Sequence, residues 1–559
     1  MNADSPPENT EQLIFLPLGG AGEIGMNLNL YGIGAPGRET WVMVDLGITF
    51  ANSAQPGFDV LMPDPAFIEE RREQLAGLVL THAHEDHLGA VPYLWQRLQC
   101  PIYATPFTLS ILKRKLAETD FADQVEILEV PLGGRFEVGP FDMELITLTH
   151  SIPEPNAIAI RTEFGTILHT GDWKFDPSPV IGDTADVVAL QKLGEEGVLA
   201  IVCDSTNVFT PGSTGSEGDL LDSLTKVIGA CQGKVAVACF SSNVARLETI
   251  AMAAKANDRD VVLAGRSLWR INEASRENGY LGDVPAFISE EDAGHIPDDK
   301  VMFICTGSQG EPRAALSRIA NGDHAHLTLG EGDTVIFSAR MIPGNEDSIG
   351  RLHNQLVRLG VQVITSNDHF IHVSGHPARD ELTRMYQLTQ PRISVPVHGE
   401  RRHLDEHAAL ARSCQVPKAI VNENGGMIRL APGEPGICGE VSSGRLALEG
   451  NRLIPSNGAL AKSRNRALYN GSATVTMALD EDGRLCAEPE LSTSGLLEDG
   501  EEDFADDAVY AAKEALQGMK GKDLRDDGKV RETVRIAVRR SFRKNLDKRP
   551  VCTVHLIRV

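Results

Sequence analysis

The sequence Leu80-Thr-His-Ala-His-Glu-Asp-His-Leu-Gly89 contains three histidines and an aspartate within six residues. They are His82, His84, Asp86 and His87. Alternate residues of an extended chain point to opposite faces, so four such side chains can meet only if a loop carries them. The apolar residues 75–80 predict a buried strand, which places the histidines just after a strand end. The division into two pairs indicates two metal ions side by side, which can stabilise the attacking and leaving oxygens of a phosphodiester.

A polar loop without a metal is the alternative interpretation of these histidines. A single histidine would favour it, but three with an aspartate favour zinc or manganese, because imidazole and carboxylate are usual ligands of these ions. The spacing His-x-His-x-Asp-His resembles the signature of the metallo-β-lactamase superfamily, which fixes four positions at once. The resemblance implies further ligands downstream.

Two later strand ends match that implication. His150 follows the apolar residues 143–149, and Asp172 ends residues 166–172 in the context Thr-Gly-Asp. Their order matches the third histidine and the bridging aspartate of the superfamily. Upstream, Asp45 ends another strand, and we expect its carboxylate to orient a metal-bound histidine, with a turn residue as the alternative.

Three glycines near the N-terminus have the spacing Gly-x-Gly-x-x-Gly of a dinucleotide-binding loop. They are Gly20, Gly22 and Gly25. A strand pattern follows them, whereas a dinucleotide site requires a helix at that point. We therefore reject a dinucleotide site here.

Length and composition indicate a soluble globular protein of two to four domains, because the chain has 559 residues of which 42% are hydrophobic. No apolar run approaches the roughly eighteen residues of a membrane helix. The N-terminus lacks the basic and then apolar layout of a signal peptide, so we expect a cytoplasmic protein with no membrane partner. Nine cysteines, an odd number without a Cys-x-x-Cys pair, are typical of reduced core thiols.

The formal net charge of −25 argues against non-specific binding of polyanions, since nucleic-acid binders usually carry a positive footprint. Much of the acid is local, as in residues 497–507, while basic residues concentrate between 535 and 549. The charge of the whole chain limits long-range attraction more than binding in a groove that holds metal cations.

After residue 234 the pattern alternates between strands and helices. The strands are expected at 234–240, 261–264 and 301–306, and the helices at 244–254, 268–278 and 313–320. This order predicts a parallel sheet covered by helices, in a domain of its own. Ligands bind beyond the carboxyl ends of such strands, so we expect the loops there to face the substrate, with ordinary helix N-caps as the alternative. The side chains predicted to bind substrate in these loops are Ser241, Ser242, Asn243 and Ser308.

Two more histidine-containing motifs follow, His369-Phe-Ile-His-Val-Ser-Gly-His376 and Ser394-Val-Pro-Val-His-Gly-Glu400, the second with the single histidine His398. With Asp204, they match in order motifs A, B and C of the β-CASP nucleases. Phe240-Ser-Ser-Asn-Val, Thr306-Gly-Ser-Gln-Gly-Glu-Pro and Ala339-Arg-Met-Ile-Pro-Gly-Asn-Glu346 make the chain similar to the bacterial ribonuclease J family. The resemblance covers at least residues 15–400. It departs after His150, where the family usually has Asp-Ser and this chain has Glu154-Pro-Asn, so it does not fix the geometry of this loop.

The resemblance implies an α/β fold, a metallo-β-lactamase αββα sandwich with an inserted β-CASP parallel α/β domain. Residues 1–206 and 366–450 are expected to form the first domain, and residues 207–365 the insertion. A linker at 451–466 and a small α+β domain at 467–559 would complete the chain. In the last domain we expect helices near 505–517 and 530–546. The second has an apolar stripe, Val530, Val534, Val538 and Phe542, and an arginine face that is either solvated or contacts RNA or a subunit.

The resemblance also implies a dinuclear metal-dependent ribonuclease that degrades RNA from the 5′ end, in some members cuts internally, and leaves 5′-phosphate products. The expected ligands are His82, His84 and His150 for one ion, Asp86, His87 and His398 for the other, and Asp172 between them. His376, held by Asp204, is expected to protonate the departing 3′-oxygen. His372 and Ser374 are expected to bind a phosphate. Zinc is expected from the ligands, with manganese as the alternative.

The expected partners are RNA with a 5′-monophosphate end, further copies in a homodimer or homotetramer, and other RNA-decay proteins. Three other functions are considered. A β-CASP enzyme acting on DNA shares the metal site, and a non-catalytic scaffold for RNA processing is disfavoured because every expected ligand is present. A small-molecule hydrolase of the superfamily needs neither the insertion nor the second pair of histidines.

Overall fold

The computed structural model describes residues 10–51, 55–342 and 344–559. Residues 1–9, which begin the expected first domain and were compared with a signal peptide, and Pro343 of the motif at 339–346 lie outside the described residues. The chain forms two compact units, Met1–Thr49 with Met62–Gly444 and Phe50–Leu61 with Arg445–Val559. Within the described residues, no helix has the length and apolar character needed to span a membrane.

Two mixed sheets form most of the first unit. The eight-stranded sheet contains, in spatial order, Gly436–Glu440, Gly426–Ala431, Gln12–Gly19, Leu28–Gly34, Thr40–Val44, Leu75–Val79, Ile102–Ala104 and Ile127–Glu129. The seven-stranded sheet contains Arg135–Val138, Phe141–Thr147, Asn156–Thr162, Gly165–His169, Val198–Asp204, Ile393–Val397 and Lys418–Ala419. A two-stranded ribbon pairs Ala21–Gly22 with Gly399–Glu400.

The two large sheets pack face to face because each contributes one apolar side of its strands. Phe15 and Val79 of the first sheet share a buried cluster with Phe141 and Val202 of the second. Helices cover the outer faces. The helices of this part are Ala66–Glu69, Glu85–Leu88, Val91–Leu98, Pro106–Leu116, Val187–Glu196, Arg379–Thr389 and Arg401–Ser413, with 3-10 turns at Arg72–Gln74 and Ala122–Gln124. This arrangement confirms the predicted αββα sandwich.

The inserted region forms a five-stranded, fully parallel sheet. Its spatial order is Asp260–Ala264, Val301–Cys305, Val235–Ala238, Thr334–Phe337 and Gln362–Ile364. Its helices are Leu220–Gly229, Val244–Ala256, Arg266–Glu277, Ala315–Asn321 and Glu346–Arg358, with a 3-10 turn at Ala293–His295. Buried apolar residues of strands and helices form one cluster. The predicted alternation of strands and helices is therefore confirmed.

The second unit contains two small sheets. One orders Arg452–Pro455, Arg445–Glu449, Val60–Pro63 and Thr49–Phe50, and the other orders Glu490–Ser494, Ser472–Leu479 and Val551–Arg558. Its helices are Ala459–Asn470, Glu502–Gln517, Gly521–Leu524 and Asp527–Leu546.

The helix Asp527–Leu546 has a clear sequence basis. The Asp526 carboxylate accepts hydrogen bonds from the backbone N–H groups of Gly528 and Lys529 and so caps its first turn. Its predicted apolar stripe, spaced four residues apart, is completely buried against the last sheet.

The predicted linker at 451–466 is wrong. Residues 445–455 form a hairpin whose turn uses Gly450 at φ 58°, and the helix Ala459–Asn470 begins within the same range. Glycine and asparagine at 450–451 are typical of a turn as well as of a linker, and the strands beside them are short. Ala461 of the helix is buried beside Phe58 and Ala447, which gives this segment an apolar core of its own.

The buried stripe generates a test of the second unit. Phe542→Ala should lower the free energy of unfolding of this unit by about 3–5 kcal/mol, because it removes a completely buried ring. Ile536→Ala, on the same helix but 41% exposed, is the matched control and should change it by no more than about 0.5 kcal/mol. Urea unfolding of the full chain measures both, and equal losses would contradict the packing described.

Candidate active site

The loop after strand Leu75–Val79 brings the first ligand candidates together. A short helix, Glu85–Leu88, begins directly after His84 and turns the chain, so that residues before and after it face the same space. His82 is completely buried, and His87 is 2% exposed. Gly47 must be a glycine because a Cβ there would lie 1.7 Å from the backbone oxygen of Asp86. The loop is therefore held closely by the strand end at Asp45.

Three imidazoles converge in the first group. The Nδ1 atom of His84 lies 3.0 Å from Nε2 of His82 and 3.1 Å from Nε2 of His150. Nitrogen ligands about 2.0–2.1 Å from a tetrahedral zinc ion lie about 3.3 Å apart, so this spacing fits an ion between the three rings. Asp172 completes a group whose ligand atoms all lie within 4.8 Å of one another.

The hydrogen bond of His150 leaves one ring nitrogen for a cation. Its Nδ1–H donates to the backbone oxygen of Gly375 at 2.6 Å, so the lone pair is on Nε2, the atom that faces His84. Burial lowers the pKa of His84 to about 4 and that of His150 well below its usual range. These two imidazoles are therefore neutral at neutral pH, as metal ligands must be.

The second group contains Asp86, His87 and His398, again with Asp172. The Nε2 atom of His87 lies 3.1 Å from Oδ2 of Asp172, and Nδ1 of His398 lies 3.4 Å from its Oδ1. Burial alone would lower the pKa of His87, but the carboxylates of Asp172, Asp86 and Asp45 outweigh it and raise that pKa well above its usual range. Such a position favours a positive charge, which a divalent cation supplies as well as a proton does.

Asp45 orients His87 from behind. Its Oδ2 lies 2.6 Å from Nδ1 of His87, and its Oδ1 accepts a hydrogen bond from the backbone N–H of Thr81 at 2.8 Å. Asp45 has a left-handed backbone conformation, φ 65°, and is completely buried. A carboxylate behind an imidazole fixes its orientation and tautomer, which is the arrangement that the sequence predicted for Asp45.

Asp172 lies between the two groups and shows that the site fits cations. It is 3% exposed, and its Oδ1 atom accepts no hydrogen bond from the described residues, because the nearby Nδ1–H of His398 is directed to Asn27 Oδ1. A buried carboxylate oxygen without a donor is costly unless a cation neutralises it. Neutral imidazoles and carboxylates are the ligands that zinc and manganese prefer.

His376 lies beside the two groups. Its Nδ1 atom forms a 2.8 Å hydrogen bond with Oδ2 of Asp204, whose Oδ1 accepts from the N–H and hydroxyl of Thr206. Burial lowers its pKa, but Asp204 and Asp172 outweigh that effect and raise the pKa of His376 to about 9. Its Nε2 atom is the nitrogen left for a reacting group.

The predicted phosphate-binding residues lie on the same returning segment. Ser374 Oγ accepts a hydrogen bond from the side-chain amide of Asn207 at 2.8 Å, so its own hydroxyl hydrogen is available to a ligand. His372 is half-buried, and its buried Nε2 atom has no hydrogen-bond partner among the described residues. Both side chains can therefore donate to an anion.

The loops of the inserted sheet have mixed roles. Asn243 Oδ1 caps the helix Val244–Ala256 by accepting the N–H of Arg246 at 2.8 Å, which is the alternative that the sequence left open. Ser241 and Ser242 are half-buried just before that helix, and Ser308 is buried after strand Val301–Cys305. Contact of these residues with substrate stays a prediction.

Several residues of the site have no motif that would reveal them. Asn27 Nδ2 lies 3.2 Å from Nε2 of His87, and its Oδ1 lies 3.1 Å from Nδ1 of His398, so one amide contacts both rings. The hydroxyl of Thr214 lies between Glu381 Oε2 at 2.6 Å and the backbone oxygen of His376 at 2.8 Å, and its single hydrogen serves these two acceptors. In the sequence, the glycine cluster at 20–25 is the nearest motif to Asn27. Ala21 within that cluster pairs with Gly399, the residue directly after His398.

Glu154, at the position where the sequence differs from the usual family pattern, has a structural role. Glu154 adopts a left-handed conformation, φ 58°, and its Oε2 accepts the backbone N–H of Phe107 at 2.8 Å, in the first turn of helix Pro106–Leu116. Its Oε1 accepts the hydroxyl of Tyr280 from the inserted domain at 3.1 Å. Glu154 thus ties the loop after His150 to helix Pro106–Leu116 and to the inserted domain.

Family models match most of the chain. The metallo-beta-lactamase superfamily matches residues 29–230, and the Zn-dependent metallo-hydrolase RNA specificity domain matches residues 360–420. The models described as ribonuclease J, beta-CASP domain and ribonuclease J C-terminal domain match residues 232–356 and 462–559. The protein is therefore a metallo-β-lactamase-type nuclease with an inserted β-CASP domain.

Curated relatives extend this result to the full length. Ribonuclease J of Sinorhizobium meliloti is 44% identical, over 98% of this chain and 98% of its own, and ribonuclease J of Mycolicibacterium smegmatis is 35% identical, over 100% and 99%. A solved structure of a protein of unknown function from Enterococcus faecalis V583 shares the fold, with a TM-score of 0.51 and 16% identity over 75% of this chain and 100% of that one. The chain belongs to the ribonuclease J family and is a metal-dependent ribonuclease whose substrate is RNA.

The contact between His150 and Gly375 generates a test of the first group. A Cβ on Gly375 would lie 2.6 Å from two atoms of the His150 ring, so Gly375→Ala should displace that ring and lower both bound metal and ribonuclease activity. Gly282→Ala is the control, because its Cβ meets no atom within 4 Å. Elemental analysis measures the metal, and unchanged metal content in Gly375→Ala would contradict a role for His150 as a ligand.

Proposed function

We propose that this ribonuclease removes nucleotides from the 5′ end of RNA, also cuts RNA internally, and leaves a 5′-phosphate and a 3′-hydroxyl. The observation that carries the proposal is the pair of ligand groups that share Asp172, with His376 and Asp204 directly beside them. A phosphodiester needs charge neutralisation, an activated water and a proton for its leaving oxygen, and this cluster offers ligands and a proton donor in one place.

Two divalent cations would supply the charge neutralisation and the activation of water when bound. The residues proposed to hold one ion are His82, His84 and His150, and those proposed for the other are Asp86, His87 and His398, with Asp172 between them. Zinc fits these ligands best, and manganese is the alternative. Asp45 and Asn27 act on the second group by holding the rings of His87 and His398 in place.

His376 is proposed to give the proton to the departing 3′-oxygen. Its Nδ1 is occupied by Asp204, which orients the ring and stabilises its protonated form, so Nε2 is the nitrogen that reaches the leaving group. The hydrogen bonds from Thr206 keep the Asp204 carboxylate from rotating away.

The 5′ end is proposed to bind beside His372 and Ser374. A terminal monophosphate has more charge and more acceptor atoms than an internal phosphodiester, so donors from an imidazole and a hydroxyl favour it without contacting a base. Ser241, Ser242, Asn243 and Ser308 are proposed to extend this pocket from the inserted sheet. A triphosphate would exceed a pocket built for one phosphate, and its extra charge would lack partners.

Other expectations also stay predictions. They are the domain limits at 206, 366 and 450, a homodimer or homotetramer, other RNA-decay proteins as partners, and a cytoplasmic location. Circular RNA tests the internal cut, because only an endonuclease opens a circle. Competition between matched RNA and DNA strands tests the DNA alternative, and equal competition by DNA would contradict a preference for RNA.

His376→Ala should retain both metal ions and lose about 10²–10⁴-fold in rate, because it removes a general acid but no ligand. His295→Ala, an exposed histidine of the inserted domain, is the control and should keep the wild-type rate. Single-turnover cleavage and elemental analysis measure the two quantities. Loss of metal, or wild-type turnover, in His376→Ala would show that this histidine is not the proton donor.

Degradation should be clearly faster on 5′-monophosphorylated than on 5′-triphosphorylated RNA. Ser374→Ala should narrow this difference without changing the metal content, since one hydrogen bond to a charged group contributes about 1.5–3 kcal/mol. Ser413→Ala, which removes a hydroxyl that donates to the backbone oxygen of Leu410 in its own helix, is the control. Equal rates on both RNA ends in the wild type would rule out the proposed end-binding pocket.

A further inference from the structure

Arg246 is an arginine of the inserted domain with no exposed surface. Its Nε and Nη2 atoms donate to the two carboxylate oxygens of Glu217 at 2.6 and 2.9 Å, a bidentate pair. Its Nη1 donates to the backbone oxygen and to the hydroxyl of Ser338 at 2.7 and 2.9 Å. A buried charge persists only with such complete pairing, so the guanidinium is fixed in position.

The same guanidinium reaches the segment that carries motif B. Glu217 lies in the chain that enters the inserted domain, while the backbone oxygens of Ile371 and Val373, at 3.5 and 3.4 Å, lie in the chain that leaves it. Arg246 thus joins both crossings of the insertion. Between those two oxygens it meets the imidazole of His372, with 3.2 Å from Nη1 to Nδ1.

This contact decides the tautomer of His372. A guanidinium has N–H donors and no acceptor, so an Nδ1–H of His372 would face Nη1 without a lone pair to accept it. Nδ1 therefore accepts, sharing an Nη1 hydrogen with Ser338, and the ring proton is on Nε2. Burial and the cationic groups of Arg246, Arg340 and Lys174 lower the pKa of His372 to about 3. The carboxylate of Glu217 is paired with Arg246 and partly neutralises its charge. The ring is therefore neutral throughout the physiological pH range.

The remaining N–H of that ring is buried and has no partner among the described residues. Native proteins rarely leave a buried donor unpaired, because its lost hydration is not replaced. Such a donor indicates a ligand that brings an acceptor, and the hydroxyl of Ser374 lies two residues further on. A phosphate oxygen is the acceptor that both donors fit.

We propose that Arg246 is a positioning residue for RNA 5′-end selection, which fixes His372 as a neutral imidazole that always presents its Nε2–H to the terminal phosphate. This inference rests on the proposed function, because it assumes that the phosphate binds beside His372 and Ser374. It adds a cause for selectivity: the imidazole is a fixed donor and not a titrating cation, and Arg246 contributes its charge from behind the ring.

The test removes the buried pair without leaving a charge unpaired. Arg246→Met combined with Glu217→Gln should lower the ratio of kcat/KM for 5′-monophosphate over 5′-triphosphate RNA by about tenfold, the effect of one hydrogen bond to a charged group. Cleavage of 5′-hydroxyl RNA is measured in parallel, so that a general loss of activity is separated from a loss of end selection. Arg259→Met is the matched control, because Arg259 is also a buried arginine of this domain, and among the described residues it donates to the backbone oxygens of Cys231, Gly233 and Val301 and to no carboxylate.

Nitrogen-15 NMR of His372 in the zinc-loaded wild type tests the tautomer without any variant. We expect the shifts of a neutral ring protonated on Nε2, constant between pH 5.5 and 8.5. A ring protonated on Nδ1, or one that titrates in this range, would overturn the inference, as would an unchanged ratio in the double variant. If the wild type itself does not prefer monophosphorylated RNA, the proposed function fails instead, and the two failures are thereby distinguished.

Discussion

Asp172 is the constraint on which the rest of the site depends, because a single buried carboxylate must serve two groups of ligand candidates at once. It follows strand Gly165–His169, while the histidine loop follows Leu75–Val79 of the other sheet, so the two sheets must pack in one register for the groups to coincide. The apolar cluster between the sheets supplies that register. Supporting residues such as Asp45 and Asn27 then fix ring orientations that packing alone leaves free.

The sequence was most informative where ligands follow strand ends within short motifs. The loop at 80–89, Asp172 and the alternating strands and helices after residue 234 could all be predicted, because period and spacing are local properties. Asn27 and Arg246 could not, since their roles arise only from contacts between segments far apart in the chain. The prediction of a linker at 451–466 failed for a related reason, because the local sequence of a hairpin turn and that of a linker contain the same residue types, and only pairing of the strands distinguishes them.

The strongly acidic chain is compatible with an RNA substrate because charge is distributed locally. Arg246, Arg340 and Lys174 lie around His372, although the whole chain carries −25. Two of these cations are neutralised locally, Arg246 by Glu217 and Lys174 by Asp176. Around Asp172 the carboxylates of Asp86 and Asp204 favour cations over phosphate. Attraction for RNA therefore depends on the bound ions and on a few local cationic side chains, since the net charge of the whole chain repels polyanions.

The two crossings into the inserted domain run side by side, since Arg379 N–H and Asp380 N–H donate to the backbone oxygens of Thr210 and Gly212, and Arg246 joins Glu217 to the returning segment. Across this neck the host strands Val198–Asp204 and Ile393–Val397 are already paired with each other. The strands of the host sheet on either side of the insertion are thus paired directly, and the insertion is a separate domain between them. In evolutionary terms, such a fold can exchange its recognition domain while its catalytic frame stays intact.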